Sequence, residues 1–403
     1  MRWESRTTLS YFLSSFMGLS WVFLIAAFYF QSVELFMITM AFMLLTYGTR
    51  IYLKKATESV QIENKRRTLK LFKGEHDTLS FSLQNRGKLP IWSGEMRFAL
   101  EPVLHVTSLE SVQNTKNLHY YSVPFFLRKN ERKHISFPVH AYERGATRIR
   151  NLQFTIHDLF GLGSCLSRFN GFSQTEVLIY PELSEVRGVE HLSTYEMGNH
   201  AYEHSLYENL SAPSGAREYV NGDSFNRIHW KATARTSELK TKVYERSIEM
   251  KWVFFLDLSV KRKNSPGQVS SNIEAYISRL AFLCTIATKR AVAFEIYINL
   301  DPEGPASSMV LETGEGNAQL SRALELMARI DDTRPLLSFE RMSSLLKKQI
   351  TERSVFIRIG EPFQSNEEEA FYGSLKNKGH KCYDVTMSDG HAYLNEIERI
   401  QAQ

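Results

Sequence analysis

Between Gly215 and Thr236 the chain reads GAREYVNGDSFNRIHWKATART, which sets Arg217, Arg227, Lys231 and Arg235 against Glu218 and Asp223 around one large aromatic, Trp230. Glu218, Asp223 and His229 are the groups in this stretch that could exchange protons as general acid and base. No nucleophile stands beside them, and no metal-ligand spacing appears. A cationic row next to a tryptophan is also the composition that interface hot spots favour. A half-buried ion network joining two domains would use the same residues, because buried charge has to be paired. Catalysis, docking and a structural joint are the three readings of this stretch.

A second candidate is Asp257-Leu258-Ser259. An aspartate and a serine two residues apart can both turn oxygens toward one hard divalent cation. A third oxygen would be wanted at position 261, where Lys261 would repel the ion. Gly360-Glu361, at the end of a later strand, offers no second aspartate. The other reading is that Asp257 and Ser259 cap loops at a sheet edge.

These residues need elements to position them. VNGD is a turn sequence, and Asp223 is a good N-cap for a helix beginning just after it. SFNRIHWKATART has helical spacing, with Phe225, Ile228 and Ala232 toward one side. Arg227, Lys231 and Arg235 recur every four residues and would line one helix face, with Trp230 at its edge available for a cation–π contact. Glu218 and Asp223, just upstream, would pair with that row. Beyond it, the apolar runs 251–260, 291–300, 354–360 and 381–387 read as strands, and 271–290, 318–330 and 367–379 read as helices. That alternation predicts an α/β, doubly wound, mainly parallel sheet, whose ligands would bind at the carboxyl ends of strands.

From about 58 to 183 the chain instead alternates with period two. Leu79, Phe81 and Leu83 share a face, and Leu152, Phe154 and Ile156 lie opposite Ile149, Gln153 and Thr155. Short alternating strands between turn signals predict an antiparallel, all-β, sandwich-like region. Within it, DLFGLGSC at 158–165 reads as a turn, with Asp158 accepting from backbone N–H groups and Gly161 and Gly163 free to take positive φ. It lacks the spacing of a phosphate-binding loop.

Residues 9–30 carry no charge, and 35–53 are apolar up to Arg50, with QSVE between them. Each run is long enough for a transmembrane helix, so the expectation is a two-helix hairpin. Arg2 and Arg6 precede it, and Arg50, Lys54, Lys55, Lys65, Arg66 and Arg67 come after it. The excess of positive charge places both termini on the cytoplasmic side of the membrane. Residues 1–70 hold nine Lys/Arg and four Asp/Glu, which accounts for the whole net charge of +5. The balanced remainder argues against a nucleic-acid partner. Three widely spaced cysteines, Cys165, Cys284 and Cys382, read as free thiols in a reducing compartment, with no metal cluster and no cofactor. The expected domains are a hairpin at 1–55, the β region at 56–184, a linker with the charged stretch at 185–250, and the α/β domain at 251–403.

REYVNGDSFNRIHWKATART closely resembles the signature of the domain-of-unknown-function 58 family, through Arg217, Glu218, Tyr219, Gly222, Asp223, Arg227, Ile228, Trp230, Ala234 and Arg235. ERGATRIRNLQFTIHDLFGL resembles the same family's upstream segment, with Leu159 where the family has proline. The resemblance implies a bacterial protein that joins a β region to a von Willebrand factor A-like, Rossmann-type domain. It further implies a MoxR-type AAA+ ATPase as partner, often with a transglutaminase-like membrane protein. The metal motif of such A domains is D-x-S-x-S, and Lys261 replaces its last serine. The resulting expectation is a non-enzymatic, membrane-tethered adaptor or scaffold in cell-envelope maintenance or stress. The alternatives are a membrane-associated enzyme using Glu218, Asp223 and His229, and a divalent-ion-dependent binding module using Asp257 and Ser259.

Overall fold

A computed structural model describes residues 2–9, 11–62, 67–161, 163–170, 174–190, 192, 208–246, 251–260, 268–301, 310–331, 334–362, 366–388 and 390–397. The chain forms two compact units, Met1–Glu182 with Met327–Ile330, and Leu183–Leu326 with Asp331–Gln403.

The first unit begins with a strand where the sequence predicts only the flank of a hairpin. β1 (Arg2–Leu9) pairs antiparallel with β12 (Gly163–Asn170). Helix α1 (Tyr11–Tyr29) follows, then a three-residue turn with Gln31 at φ 49, then helix α2 (Val33–Ser59). Ser32 caps α2 by accepting from the Leu35 N–H at 3.3 Å. Phe28 and Phe36 meet edge to face across the turn, at 5.8 Å. Small side chains mark where the helices are covered: Ser20, Ala27, Thr39 and Thr46 are buried, and both threonine hydroxyls donate to carbonyls of the preceding turn. Elsewhere the helices present large apolar side chains outward, among them Ile25, Phe28, Val33, Ile38 and Leu44. α2 is long and apolar enough to cross a membrane, with only 17% of its most apolar window buried.

The lower end of α2 is part of a globular core. Leu53 and Ala56 are fully buried among residues of the β region, including Leu69, Phe81, Met96 and Ile156. That region contains β2 (Val60–Ile62), β3 (Arg67–Phe72), β4 (His76–Asn85), β5 (Ile91–Leu100), β6 (Leu104–Val106) and β7 (Ser111–Asn114). β8 (His119–Leu127), β9 (Arg132–Ala141), β10 (Gly145–Arg148), β11 (Arg150–His157) and β13 (Thr175–Tyr180) complete it with β12. The strands form sheets in the orders β1-β12-β11-β5-β8-β7, β2-β4-β9-β6 and β10-β13-β3. Phe98 of the first sheet packs within 6 Å of Phe81 and Phe137 of the second, at 5.4 and 5.6 Å, so the two sheets face each other over aromatic rings. The period-two reading holds for Leu79, Phe81, Leu83, Leu152, Phe154 and Ile156, all buried. Ile149, predicted on the opposite face, is buried as well. Asn151 sits at φ 51 and the register shifts between Arg150 and Gln153, so the alternation restarts there.

The second unit holds a seven-stranded sheet in the order β14-β22-β21-β20-β17-β18-β19. Its strands are β14 (Val186–Arg187), β17 (Lys251–Leu256), β18 (Phe294–Ile298), β19 (Val310–Gly314), β20 (Ser354–Ile359), β21 (Lys381–Ser388) and β22 (His391–Glu396). β17 pairs parallel with β18 and β20, and β20 with β21, while β19 and β22 run antiparallel to their neighbours β18 and β21. Helices α4 (Ile273–Lys289), α5 (Gly316–Ala328), α6 (Phe339–Gln349) and α7 (Asn366–Asn377) lie between strands in sequence. Every residue of β18 and β20 is buried, as parallel strands covered on both faces must be. β14, β19, α6 and β22 are not legible in the sequence. Cys165, Cys284 and Cys382 are buried thiols outside any disulfide.

Candidate functional site

The charged stretch is not a continuous helix after a linker. It begins on β15 (Glu208–Glu218) and runs into the 21-residue tip, 219–239, of an antiparallel ribbon that β15 forms with β16 (Lys240–Arg246). Arg217 faces Thr241 and Glu218 faces Lys240 at the ribbon's end. VNGD is a turn, closed by the Asp223 N–H donating to the Val220 carbonyl at 2.9 Å, with Gly222 at φ 115. At that φ a side chain is strained, which is why glycine stands there.

Asp223 caps no helix, contrary to the sequence reading. Its Oδ1 accepts from Arg217 Nη2 at 2.6 Å, and its Oδ2 accepts from the Val220 N–H at 3.1 Å and Thr241 Oγ1 at 3.0 Å. One carboxylate thus ties the end of β15, the turn and the start of β16. Tyr219 adds a hydroxyl donated to the Asp223 carbonyl at 3.2 Å. The Arg217 bond first, then the backbone and Thr241 donors, hold the Asp223 carboxyl down at a pKa of about 2.

The helix itself is split. Phe225–Arg227 is one 3-10 turn, Ile228 is buried and bridges to Thr241, and only then does α3 (Trp230–Thr236) begin. His229 caps α3, its Nδ1 accepting from the Ala232 N–H at 3.2 Å. The break puts Arg227 in the 3-10 turn, so the row of three cations is reduced to Lys231 and Arg235 on α3. Sequence reasoning missed the split because Ile228 suits a helix face and a β-bridge equally well. Glu218 remains exposed, 3.6 Å from Lys240, whose stronger partner is Glu238 at 3.1 Å. Among the described residues, no cation stacks on Trp230.

Two of the acid–base candidates are engaged within the loop and the third is exposed. The Asp223 oxygens and the His229 Nδ1 are spent on backbone and side-chain donors, and Glu218 points to solvent at the ribbon's end. What the tip displays is apolar. Phe225 and Trp230 are 75% and 64% exposed, and Val220 and Leu239 are exposed with them. Arg217, Lys231 and Arg235 stand among them, also exposed.

Asp257, weighed from the sequence as either a cation ligand or a loop cap, sits past the carboxyl end of β17 and is buried. Donors surround it. Its Oδ1 accepts from Ser259 Oγ at 2.6 Å, the Ser259 N–H at 3.2 Å and Asn299 Nδ2 at 2.7 Å. Its Oδ2 accepts from Arg358 Nη2 at 3.3 Å. Arg358 is fully buried in β20, bonds Asp384 at 3.1 Å through Nη1, and donates to the Glu361 carbonyl. Burial alone would lower the Arg358 pKa, but Tyr372, Asp384, Asp257 and Glu368 raise it overall, so it stays charged. Burial raises the Asp384 carboxyl, and Arg358 counters only part of that rise. These groups do not fit a divalent ion: the lone pairs of Asp257 meet N–H and O–H donors, and a guanidinium holds the positive charge. Lys261 lies outside the described residues. Arg358, which neutralises this pocket, was missed from sequence; its signal was a lone arginine inside the apolar run SVFIRIG.

Residues 215–298 match the family described as Protein of unknown function DUF58. No curated protein matches. Among solved structures, the CARDB domain of a Pyrococcus furiosus protein in complex with di-metal ions is 13% identical, covering 30% of this chain and 90% of that one, with a TM-score of 0.18. A PapD-like domain of human CEP192 is 16% identical over 30% and 83%, with a TM-score of 0.19. A non-cellulosomal cohesin from Archaeoglobus fulgidus is 12% identical over 33% and 96%, with a TM-score of 0.20. At these scores the likenesses carry no argument about this chain.

Proposed function

We propose that this chain is a non-enzymatic, membrane-tethered adaptor or scaffold that works with a MoxR-type AAA+ ATPase in cell-envelope maintenance or stress. The observation that carries the reading is the ribbon tip. Its internal order comes from Asp223 and the buried Ile228, while Phe225 and Trp230 are left outside that order and face solvent. Large exposed apolar side chains among arginine and lysine are the composition of a binding hot spot. The DUF58 match falls on this same segment, and the resemblance to that family is what names the ATPase as partner.

Three further features support the reading. The helices α1 and α2 leave and return to one β region, as a two-pass anchor with cytoplasmic ends requires, and Arg50, Lys54 and Lys55 in the C-terminal part of α2 agree with that orientation. The parallel β18-β17-β20-β21 core, with helices between strands, fits a von Willebrand factor A-like domain. Two of the tip's three proton-exchanging groups, Asp223 and His229, are engaged in holding the loop, which favours docking over acid–base catalysis.

A photo-crosslinking residue at Trp230, in the full chain in native membranes, tests this. Adducts with the MoxR-type ATPase are expected at Trp230 and not at Val112, an exposed side chain of β7. No adduct at Trp230, or equal adducts at both, overturns the proposal.

A further inference from the structure

The loop Asp158–Gly161 and the lower turns of α2 enclose a groove of about 550 Å³, walled by Leu44, Leu45, Gly48, Leu159 and Phe160. Leu159 and Phe160 are 61% and 65% exposed. The loop carrying them is tightly built. Asp158 is buried, its carboxylate accepts from the Phe160 N–H at 3.3 Å and the Gly163 N–H at 2.9 Å, and Gly161 turns the chain at φ 67. Two large apolar side chains are thereby held out on a frame rather than folded onto the sheet. In water, that exposure forfeits the burial free energy of both.

The position of the groove along α2 says what covers it. Ser32, before α2, and the exposed Arg50, its first basic residue, are about 27 Å apart at 1.5 Å per residue, close to the hydrocarbon thickness of about 30 Å. Leu44 and Leu45 lie about 9 and 7.5 Å to the apolar side of Arg50, and Gly48 about 3 Å. A loop sharing a groove with these residues lies at their depth. Just beyond Arg50, the Tyr52 hydroxyl donates to the Pro90 carbonyl at 2.9 Å, and the exposed Trp92 stands next to Phe126 at 5.7 Å. Tyrosine and tryptophan at that level are what a headgroup region favours.

We propose that the Asp158–Gly161 loop is a bilayer-inserting wedge: Leu159 and Phe160 enter the acyl-chain region of the leaflet beside α2, and the groove takes a phospholipid acyl chain. The proposal rests on α2 spanning the membrane. Together with the burial of Leu53, the wedge fixes the height of the β region at the membrane surface.

The test uses the full chain in phosphatidylethanolamine–phosphatidylglycerol vesicles, nitroxide-labelled at Phe160→Cys, Leu159→Cys, Ile38→Cys or Val112→Cys. The three native cysteines are buried and leave the introduced thiol as the reactive one. Spin relaxation by dissolved oxygen is compared with relaxation by a water-soluble nickel chelate. The labels at 159 and 160 are expected to be oxygen-accessible and nickel-protected like the one at 38, with 112 the reverse. If 38 is in lipid but 159 and 160 are in water, the wedge is overturned while the spanning helix stands. If 38 is also in water, the spanning reading fails and takes the wedge with it.

Discussion

Arg217 and Asp223 lie 2.6 Å apart at the mouth of the ribbon, and this pair, with Thr241 on the facing strand, closes the loop that carries Phe225 and Trp230. The carboxylate acts as a fastener, so its loss should loosen the tip and leave the sheet intact. Asp223→Asn is expected to raise amide hydrogen exchange at Val220 and Thr241, with exchange in β17 and β20 unchanged. The folded-state pKa of about 2 is below the ordinary aspartate value. The carboxylate's contribution is therefore complete above about pH 4 and is lost as pH falls through about 2. In wild type, protection at Val220 should be flat down to about pH 4 and fall below it.

Arg358 stands where a cation would have to sit. Millimolar Mg²⁺ or Ca²⁺ is expected to leave the melting temperature of the wild-type chain unchanged, since Arg358 and the donors around Asp257 already satisfy that carboxylate. Arg358→Met removes the guanidinium that the buried Asp257 and Asp384 share. By analogy with broken buried ion pairs it should cost about 3–5 kcal/mol, read by denaturant unfolding of the second unit. A Mg²⁺-induced rise in the wild-type melting temperature would restore the ion-dependent module.

Leu53 belongs to the transmembrane candidate and to the β core at once. Leu53→Ala should destabilise the β region by about 2–5 kcal/mol, the usual range for a buried leucine. Ile51→Ala, at an exposed position two residues away, should cost far less. The check is thermal unfolding of both variants in detergent. Truncation near residue 55 would remove Leu53 and β1, so binding work belongs on the full chain.

A row of histidines crosses the outer face of the β2-β4-β9-β6 sheet. His76 pairs with His140 and His140 with His105 across the strands, and His119 lies 5.1 Å from His105. Burial first, then the charges of His119 and His140, lower the His105 pKa in the folded state. The folded state then binds fewer protons than the unfolded chain. Stability is full above the ordinary histidine value of about 6.5 and declines as pH falls below it. His380, buried in the second unit, has the same sign. Melting temperature should therefore drop between pH 7.5 and 5.5, and His105→Gln should shrink the drop relative to wild type.

The elements that were legible in the sequence are those with a long period or a long apolar run. α2, the buried faces of β4 and β11, and β17, β18, β20 and β21 were found because burial on one face or both leaves a repeating mark. β1 was missed because RWESRTTL is polar and its partner strand lies more than 150 residues away. α6 was missed although Phe339, Met342 and Leu346 keep helical spacing, because its short amphipathic run lies in a charged surrounding. The tip was found as a composition and misread as a helix. The deciding interactions, Ile228 with Thr241 and Asp223 with Thr241, join residues 13 and 18 apart in the chain, and no local pattern encodes them.

The central claim is that the exposed apolar side chains of the tip bind a partner and do not serve the fold. The most direct measurement is the affinity of the full chain, in lipid nanodiscs, for the MoxR-type ATPase, with wild type compared against Phe225→Ser/Trp230→Ser. The account predicts binding by wild type, a loss of at least about tenfold in the variant, as hot-spot residues show, and an unchanged melting temperature. Equal binding by both chains, or a loss that comes only with a lowered melting temperature, would contradict it.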